Sequence, residues 1–258
     1  MQRGKLFSMA FAGVAVAALS APALADKSND TLRVAQNEAF KAISNYYFPA
    51  REASFIYRQV YSPLINFDER GGKFLPELAV SWTRPNPATV DLELRRGVKF
   101  HDGSAFNADD VVGVLNWARH PKVKLPFKRR YTWMKSVEKL GSHKVRIVAK
   151  RPIATDLMHL AYRFFIYDIE TLNSHKHKSD YGRKTPLGTG PYKITKLDRN
   201  AGTFAQRYDG YHGSKWRRSP IKFIRGIPVP DQQTQIAQLI TGGVDVVRNV
   251  NAANARSL

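Results

Sequence analysis

The stretch RRGVKFHDGSAFNADDVV, residues 95–112, places one histidine, three aspartates and a glycine turn within eighteen positions. Two interpretations compete: a catalytic or metal-binding cluster, or the boundary between a strand, a turn and a helix. Neighbouring helical residues point about 100° apart, so Asp109 and Asp110 do not converge on one ligand. A single histidine beside Asp102 lacks the further ligands that a metal needs. The pattern therefore favours the structural interpretation.

In that interpretation, the stretch predicts a short strand, a turn and a capped helix. Val98 and Phe100 close the strand, and the His-Asp-Gly residues 101–103 turn the chain. Asn107 is a good N-cap, and the carboxylates at 109–110 are favoured in the first turn by exposed N–H groups and the helix macrodipole. The apolar face of the predicted helix then follows at Val111, Val114, Leu115 and Ala118.

The first 25 residues have the features of a secretory signal peptide. Arg3 and Lys5 precede an uncharged apolar run at residues 6–19, and Ala-Leu-Ala at 23–25 forms a small-x-small cleavage pattern. The run is shorter than the roughly 20 residues that span a bilayer. The sequence therefore predicts a signal peptide over residues 1–25 and an exported mature chain.

Composition narrows the possible functions. The 258 residues carry a formal charge of +20 and no cysteine, which excludes disulfides, thiolate metal sites and cysteine nucleophiles. Such a charge favours an acidic partner. The cations are nevertheless spread over residues 122–151, 176–184 and 215–225, which is typical of a solvated surface. Exported proteins rarely meet nucleic acid, so we predict no nucleic-acid partner.

The rest of the chain predicts alternating strands and helices. Residues 88–95 and 144–150 alternate apolar with polar side chains, which predicts an antiparallel sheet with one wet face. Asp231 is a candidate N-cap for a late helix that ends at two glycines. Further strands are predicted at residues 31–36, 192–197, 203–208, 221–229 and 244–247, and a further helix at 53–61.

Short motifs elsewhere match known sites only weakly. The pairs Ser136/Lys139 and Ser219/Lys222 have Ser-x-x-Lys spacing, but supporting motifs of that hydrolase class do not accompany them. The alternation of histidine and lysine at 175–178 would repel a cation, which favours a solvated loop. We therefore predict no catalytic residue, no metal site and no cofactor.

Four motifs occur in the order of one known family. They are PELAVSW (76–82), LRRGVKFHDGSAFNADDVV (94–112), PLGTGPYKI (186–194) and GGVDVV (242–247). Together they resemble the peptide/nickel (dipeptide and oligopeptide) class of periplasmic solute-binding proteins of ABC transporters. The resemblance covers most of residues 31–247, although residues 208–212 keep only the tyrosine of an Asn-Pro-x-Tyr-Trp pattern.

The resemblance implies an α/β fold, a periplasmic-binding-protein-like lobe of mixed sheet with helices plus a small peripheral α+β domain. Lobe one would comprise residues 31–63 and 177–247, the peripheral domain 64–176, and residues 248–258 would begin the crossover to a second lobe. Family members are roughly twice as long. We therefore expect a truncated form without the second lobe, which is poorly stable and binds weakly because half of the cleft is lost.

The resemblance also implies a function. The chain would be a periplasmic, non-enzymatic, monomeric subunit that binds a peptide or similar small solute and meets the membrane only through the ABC permease and its ATPase. Tyr46, Tyr47 and Phe48 would contact the ligand, and Arg163 would pair with a ligand carboxylate. Two alternatives remain open: a secreted basic protein that binds polyanions, and an exported Ser-x-x-Lys hydrolase.

Overall fold

The computed structural model describes residues 30–49, 53–184, 186–213, 217, 219–248, 250–251 and 254. The predicted signal peptide, residues 1–25, lies outside these ranges. In the described chain the strands are β1 (Thr31–Gln36), β2 (Ile65–Asp68), β3 (Lys73–Pro76), β4 (Ala79–Asn86), β5 (Thr89–Leu94), β6 (Met134–Gly141), β7 (Lys144–Ala149), β8 (Tyr192–Asp198), β9 (Gly202–Arg207) and β10 (Phe223–Pro228). The helices are α1 (Ser54–Val60), α2 (Ala108–Arg119), α3 (Asp156–Tyr162), α4 (Ile169–Ser174), α5 (Tyr181–Lys184) and α6 (Gln232–Ile240).

One sheet joins the two ends of the described chain. Its order is β1-β10-β9-β8, with β1 parallel to β10 and the other pairs antiparallel. The predicted β8–β9 hairpin is confirmed, and Asp198 accepts the N–H groups of Asn200 and Ala201 in its turn, each at 2.9 Å. The strand predicted at 244–247 is reduced to one parallel bridge between Val34 and Val246.

The second four-stranded sheet has the order β4-β5-β7-β6 and is antiparallel throughout, as predicted. The expected wet face of β5 is wrong at Asp91, which is buried. Arg146 of β7 lies across it and donates to both carboxylate oxygens at 2.7 and 2.8 Å. This guanidinium also lowers the pKa of Asp91. The alternation of the sequence predicts that Asp91 faces solvent, but in the fold a cross-strand ion pair covers it.

The structural interpretation of the two aspartates is confirmed. Asn107 caps α2 in a reciprocal capping box with Asp110, whose side chain accepts the Asn107 N–H at 2.9 Å. Asp110 also accepts the N–H of Ile169 at 3.0 Å, which fixes the start of α4 against α2. Asp109 instead points outward and pairs with Lys139 at 2.8 Å. Asp109 and Asp110 therefore point to different faces of α2 and have different partners.

The His-Asp-Gly turn packs against the Gly-Thr-Gly segment. The N–H of His101 donates to Gly188 O at 2.9 Å, and its Nε2 lies 3.0 Å from Gly190 O. A Cβ at Gly188 would lie 2.0 Å from Val60 O, so the backbone at the end of α1 leaves no room for a side chain. The motifs at residues 94–112 and 186–194 therefore pack against each other, and the second also packs against the end of α1.

Candidate ligand-binding site

A cavity of about 870 Å³ opens beside α1 and the end of α3. Such a volume is typical of small-molecule pockets. Its wall comes from the loop after β1, from α1, from the β2–β3 turn, from the segment before β6 and from the end of α3. The lining residues are Asn45, Pro49, Ser54, Tyr57, Arg58, Phe67, Asp68, Glu69, Arg70, Phe127, Arg130, Tyr162, Arg163 and Phe165.

Side-chain hydrogen bonds hold the loop after β1 against the end of α3. The amide of Asn45 donates to Arg163 O at 3.1 Å, and the hydroxyl of Tyr46 donates to Phe165 O at 2.9 Å. Tyr57 of α1 donates its hydroxyl to Phe48 O. The backbone of one cavity wall is therefore set by polar groups that would otherwise be buried without partners.

Four arginines and two acidic residues line the cavity. Both acids are already engaged locally: Asp68 accepts the N–H of Arg70 at 3.0 Å, and Glu69 accepts the Tyr162 hydroxyl at 2.8 Å. Among the described residues, none of the guanidinium groups of Arg58, Arg70, Arg130 and Arg163 forms an ion pair. The cavity therefore carries an excess of positive charge.

Two of these arginines lie close enough to affect each other. Burial and, next, the Arg163 charge lower the pKa of Arg130. Arg163 also adds to the effect of burial in lowering the pKa of His159. A carboxylate bound between the two guanidinium groups would relieve this repulsion and accept charge-assisted hydrogen bonds. The arrangement suits an anionic ligand group.

The four sequence-predicted ligand residues lie in different surroundings. Arg163 is exposed and lines the cavity. Tyr46 is only 1% exposed, and its ring packs in the core against Trp117. Tyr47 and Phe48 are half-buried beside the cavity without lining it; Arg183 lies over the Phe48 ring at 4.9 Å. Their contact with a ligand stays a prediction.

Sequence patterns missed three of the four arginines. Arg58, Arg70 and Arg130 belong to a helix, a turn and a loop that converge only in the fold. The basic run at 128–130 was a visible signal, but nothing in the sequence shows that Arg130 reaches Arg163. Their neighbour Phe127 is an apolar residue in a polar loop, and it too lines the cavity.

The Ser-x-x-Lys pairs do not form serine–lysine contacts. Ser136 donates to Glu138 at 2.6 Å while Lys139 binds Asp109, and Lys222 pairs with Asp30 at 3.5 Å. Within the described ranges, no three His, Cys, Asp or Glu side chains gather as metal ligands. None of the helices in these ranges is long and apolar enough to cross a membrane.

Comparison with protein families gives a match over residues 73–258, to the model of the bacterial extracellular solute-binding proteins, family 5 (middle region). The glutathione-binding protein GsiB of Pectobacterium atrosepticum is 29% identical over 240 residues, which cover 90% of this chain and 44% of the relative. The peptide transport periplasmic protein SapA of Salmonella typhimurium is 29% identical and covers 73% and 38%. The chain thus spans less than half the length of these curated relatives.

Solved structures share the fold. The oligopeptide-binding protein AppA of Bacillus subtilis, in complex with a nonapeptide, superposes with a TM-score of 0.75 at 24% identity, covering 83% of this chain and 43% of that one. NikZ of Campylobacter jejuni, in complex with Ni(L-His), gives a TM-score of 0.74 at 25% identity, covering 84% and 42%. The architecture is therefore that of periplasmic binding proteins.

Proposed function

The chain belongs to the bacterial extracellular solute-binding proteins, family 5, and from this premise we propose that it is the solute-binding subunit of an ABC importer. It would bind a peptide or similar small solute in the periplasm and deliver it to the membrane permease, without catalysing a reaction. The names of its relatives, which include glutathione-binding, peptide-transport and nickel-binding proteins, support this class of role.

The unpaired guanidinium groups of Arg130 and Arg163 are the observation that carries the proposal. A peptide presents a carboxylate at its C-terminus, and a planar guanidinium binds it through two parallel hydrogen bonds. The apolar walls at Phe127 and Phe165 would contact side chains of the solute. In this proposal Arg163 pairs with a ligand carboxylate, as the family resemblance implies, and Arg130 contributes a second guanidinium.

Thermal denaturation tests the proposal. We expect peptides with a free C-terminal carboxylate to raise the melting temperature, and the same peptides with an amidated C-terminus to raise it less. Arg163→Gln should weaken binding ten- to a hundredfold, since hydrogen bonds to charged groups contribute about 1.5–3 kcal/mol. The matched control is Arg96→Gln, an exposed arginine outside the cavity, which should bind as the parent does.

Two outcomes would count against the proposal. If no peptide, sugar or metal chelate shifts the melting temperature, the assignment as a solute-binding subunit fails. If peptides bind equally well with free and amidated termini, and Arg163→Gln binds like Arg96→Gln, the carboxylate role of the two arginines is wrong while solute binding stands.

A further inference from the structure

The second sheet and its helix α2 carry an unusual charge pattern. Between residues 111 and 155 the sequence has twelve Lys and Arg and a single acidic residue, Glu138. Three of the twelve find acidic partners: Lys139 with Asp109, Lys144 with Glu93, and Arg146 with Asp91. The other nine form no ion pair among the described residues. These 45 residues therefore carry +11 of the chain's formal charge of +20.

The paired and unpaired cations lie toward opposite ends of the sheet. The β6–β7 turn at Gly141 and Lys144 marks one end, and the three ion pairs lie along the strands that lead to it. At the other end β6 begins at Met134 beside Ala149 of β7. The unpaired cations come from the segments that meet there, and we call this region the basic end.

Hydrogen bonds hold these segments next to one another. Lys128 donates its ammonium to the carbonyls of Ala118 and His120 at 2.8 and 2.6 Å, which fastens the loop before β6 to the end of α2. Arg119 donates to Met134 O at 3.2 Å, and the N–H of Lys150 donates to Trp133 O at 2.9 Å. The end of α2, the start of β6 and the end of β7 therefore adjoin.

Six cations of the basic end are exposed and make no side-chain hydrogen bond or ion pair within the described chain. They are Lys122, Lys124, Arg129, Lys135, Lys150 and Arg151. Like charges gathered on one surface repel and raise the local positive potential, which attracts anions. Clusters of four to eight Lys and Arg are the composition that binds anionic lipid headgroups.

An exposed apolar pair, Pro126 and Phe127, lies in the loop before β6. Phe127 is 49% exposed and follows exposed Pro126, while Arg130 covers one face of its ring at 4.1 Å. Cations beside an exposed aromatic ring are typical of segments that lie at a bilayer surface, because the ring enters the headgroup region and the cations stay at the phosphates. Double-stranded nucleic acid would contact the cations through its phosphates but offers no apolar layer for this exposed ring.

We propose that the basic end is a docking surface for an anionic phospholipid bilayer. The six exposed cations contact lipid phosphates, and Phe127 enters the headgroup layer beside them. This contact is separate from delivery to a permease, and it shares Phe127 with the solute cavity.

Co-sedimentation of the full chain with vesicles tests the proposal. We expect binding to vesicles of equimolar phosphatidylglycerol and phosphatidylcholine, and none to pure phosphatidylcholine. Binding should be lost between about 0.1 M and about 1 M salt, where the screening length falls from roughly 10 Å to roughly 3 Å. The triple variant Lys122→Gln, Lys124→Gln, Arg129→Gln should bind about a hundredfold more weakly, since each cation contributes about 1 kcal/mol near an anionic surface.

A matched triple variant tests whether vesicle binding depends on the basic end or only on the net charge of the protein. Lys41→Gln, Lys176→Gln, Arg199→Gln removes the same charge from exposed positions on three other loops and should bind as the parent does. Circular dichroism would check that both variants keep the parent fold. Equal loss in the two triple variants would overturn the proposal, and so would retention on heparin without binding to anionic vesicles.

Discussion

At the scale of single residues, Glu77 is the clearest case of a charge that the fold must satisfy. It is fully buried and accepts four hydrogen bonds, from Ser62 at 3.0 Å, Asn66 at 2.7 Å, Tyr211 at 2.7 Å and Arg217 at 2.6 Å. Burying a lone carboxylate is costly, and a full set of donors with one cation offsets that cost. Glu77 therefore joins segments that lie far apart in the sequence.

Replacing this carboxylate should destabilise the protein strongly. Glu77→Ala leaves the Arg217 guanidinium buried without its counter-charge, for which we expect a loss of about 3–5 kcal/mol in the free energy of unfolding. Urea denaturation would measure it. Glu93→Ala is the control, because the Glu93–Lys144 pair is exposed and should contribute little to the free energy of unfolding. Similar losses in both variants would show that the Glu77 network stabilises the fold no more than an exposed ion pair does.

At the scale of elements, α2 shows how a local pattern and a tertiary contact share one residue. The capping box of Asn107 and Asp110 is encoded within four positions, and its form follows from helix geometry alone. The contact of Asp110 with the N–H of Ile169 joins residues 59 positions apart. Burial then raises the pKa of Asp110 to about 6. The sequence pattern predicts the capping box but does not show that Asp110 is buried.

Removing the cap should cost a modest amount of stability. Asn107→Ala leaves the N–H of Asp109, which now donates to Asn107 Oδ1 at 2.6 Å, without a side-chain acceptor. We expect a loss of about 1 kcal/mol in the free energy of unfolding, measured by urea denaturation. Asn200→Ala, at an exposed turn, should stay within about 0.5 kcal/mol of the parent. A loss no larger at Asn107 than at Asn200 would contradict the cap's contribution.

At the scale of the whole molecule, stability should depend on pH most strongly through three groups that the fold buries. Burial lowers the pKa of His101 and of His212 to about 4, so both stay neutral in the folded protein while the unfolded chain protonates them. Their contribution is complete above pH about 6.5 and is lost as the pH falls toward 4. Asp110 acts in the opposite sense, because its raised pKa of about 6 makes the folded state bind a proton more readily between about 3.8 and 6.

The two histidines outweigh the aspartate. From pH about 7 to about 5, each histidine removes roughly 2 kcal/mol and Asp110 restores roughly 1, so we expect a net loss of about 3 kcal/mol in the free energy of unfolding. His101→Gln should flatten this pH dependence to less than half, as measured by urea denaturation at both pH values. His177→Gln, at an exposed position, serves as the control. An unchanged slope in His101→Gln would refute the assignment.

Sequence patterns predicted some elements well because their signals are local. The strand β1, the hairpin β8–β9 and the helices α2 and α6 have clear alternation, caps or helical spacing, and the structure has each of them. The strands β2, β3, β4 and β6 and the helices α3 to α5 were missed. These elements are short or irregular, and packing in the tertiary structure, which a local pattern cannot show, decides their form.

The sequence by itself indicated the family, through four motifs in the family's order, and it indicated the role of residues 95–112, because caps and turns depend on neighbours only a few positions away. Only the tertiary structure decided where charge is left unpaired. Arg58, Arg70, Arg130 and Arg163 come from four separate segments, and their meeting in one cavity depends on chain topology. The basic end has the same origin, since ion pairing is set by distance in space and not along the chain.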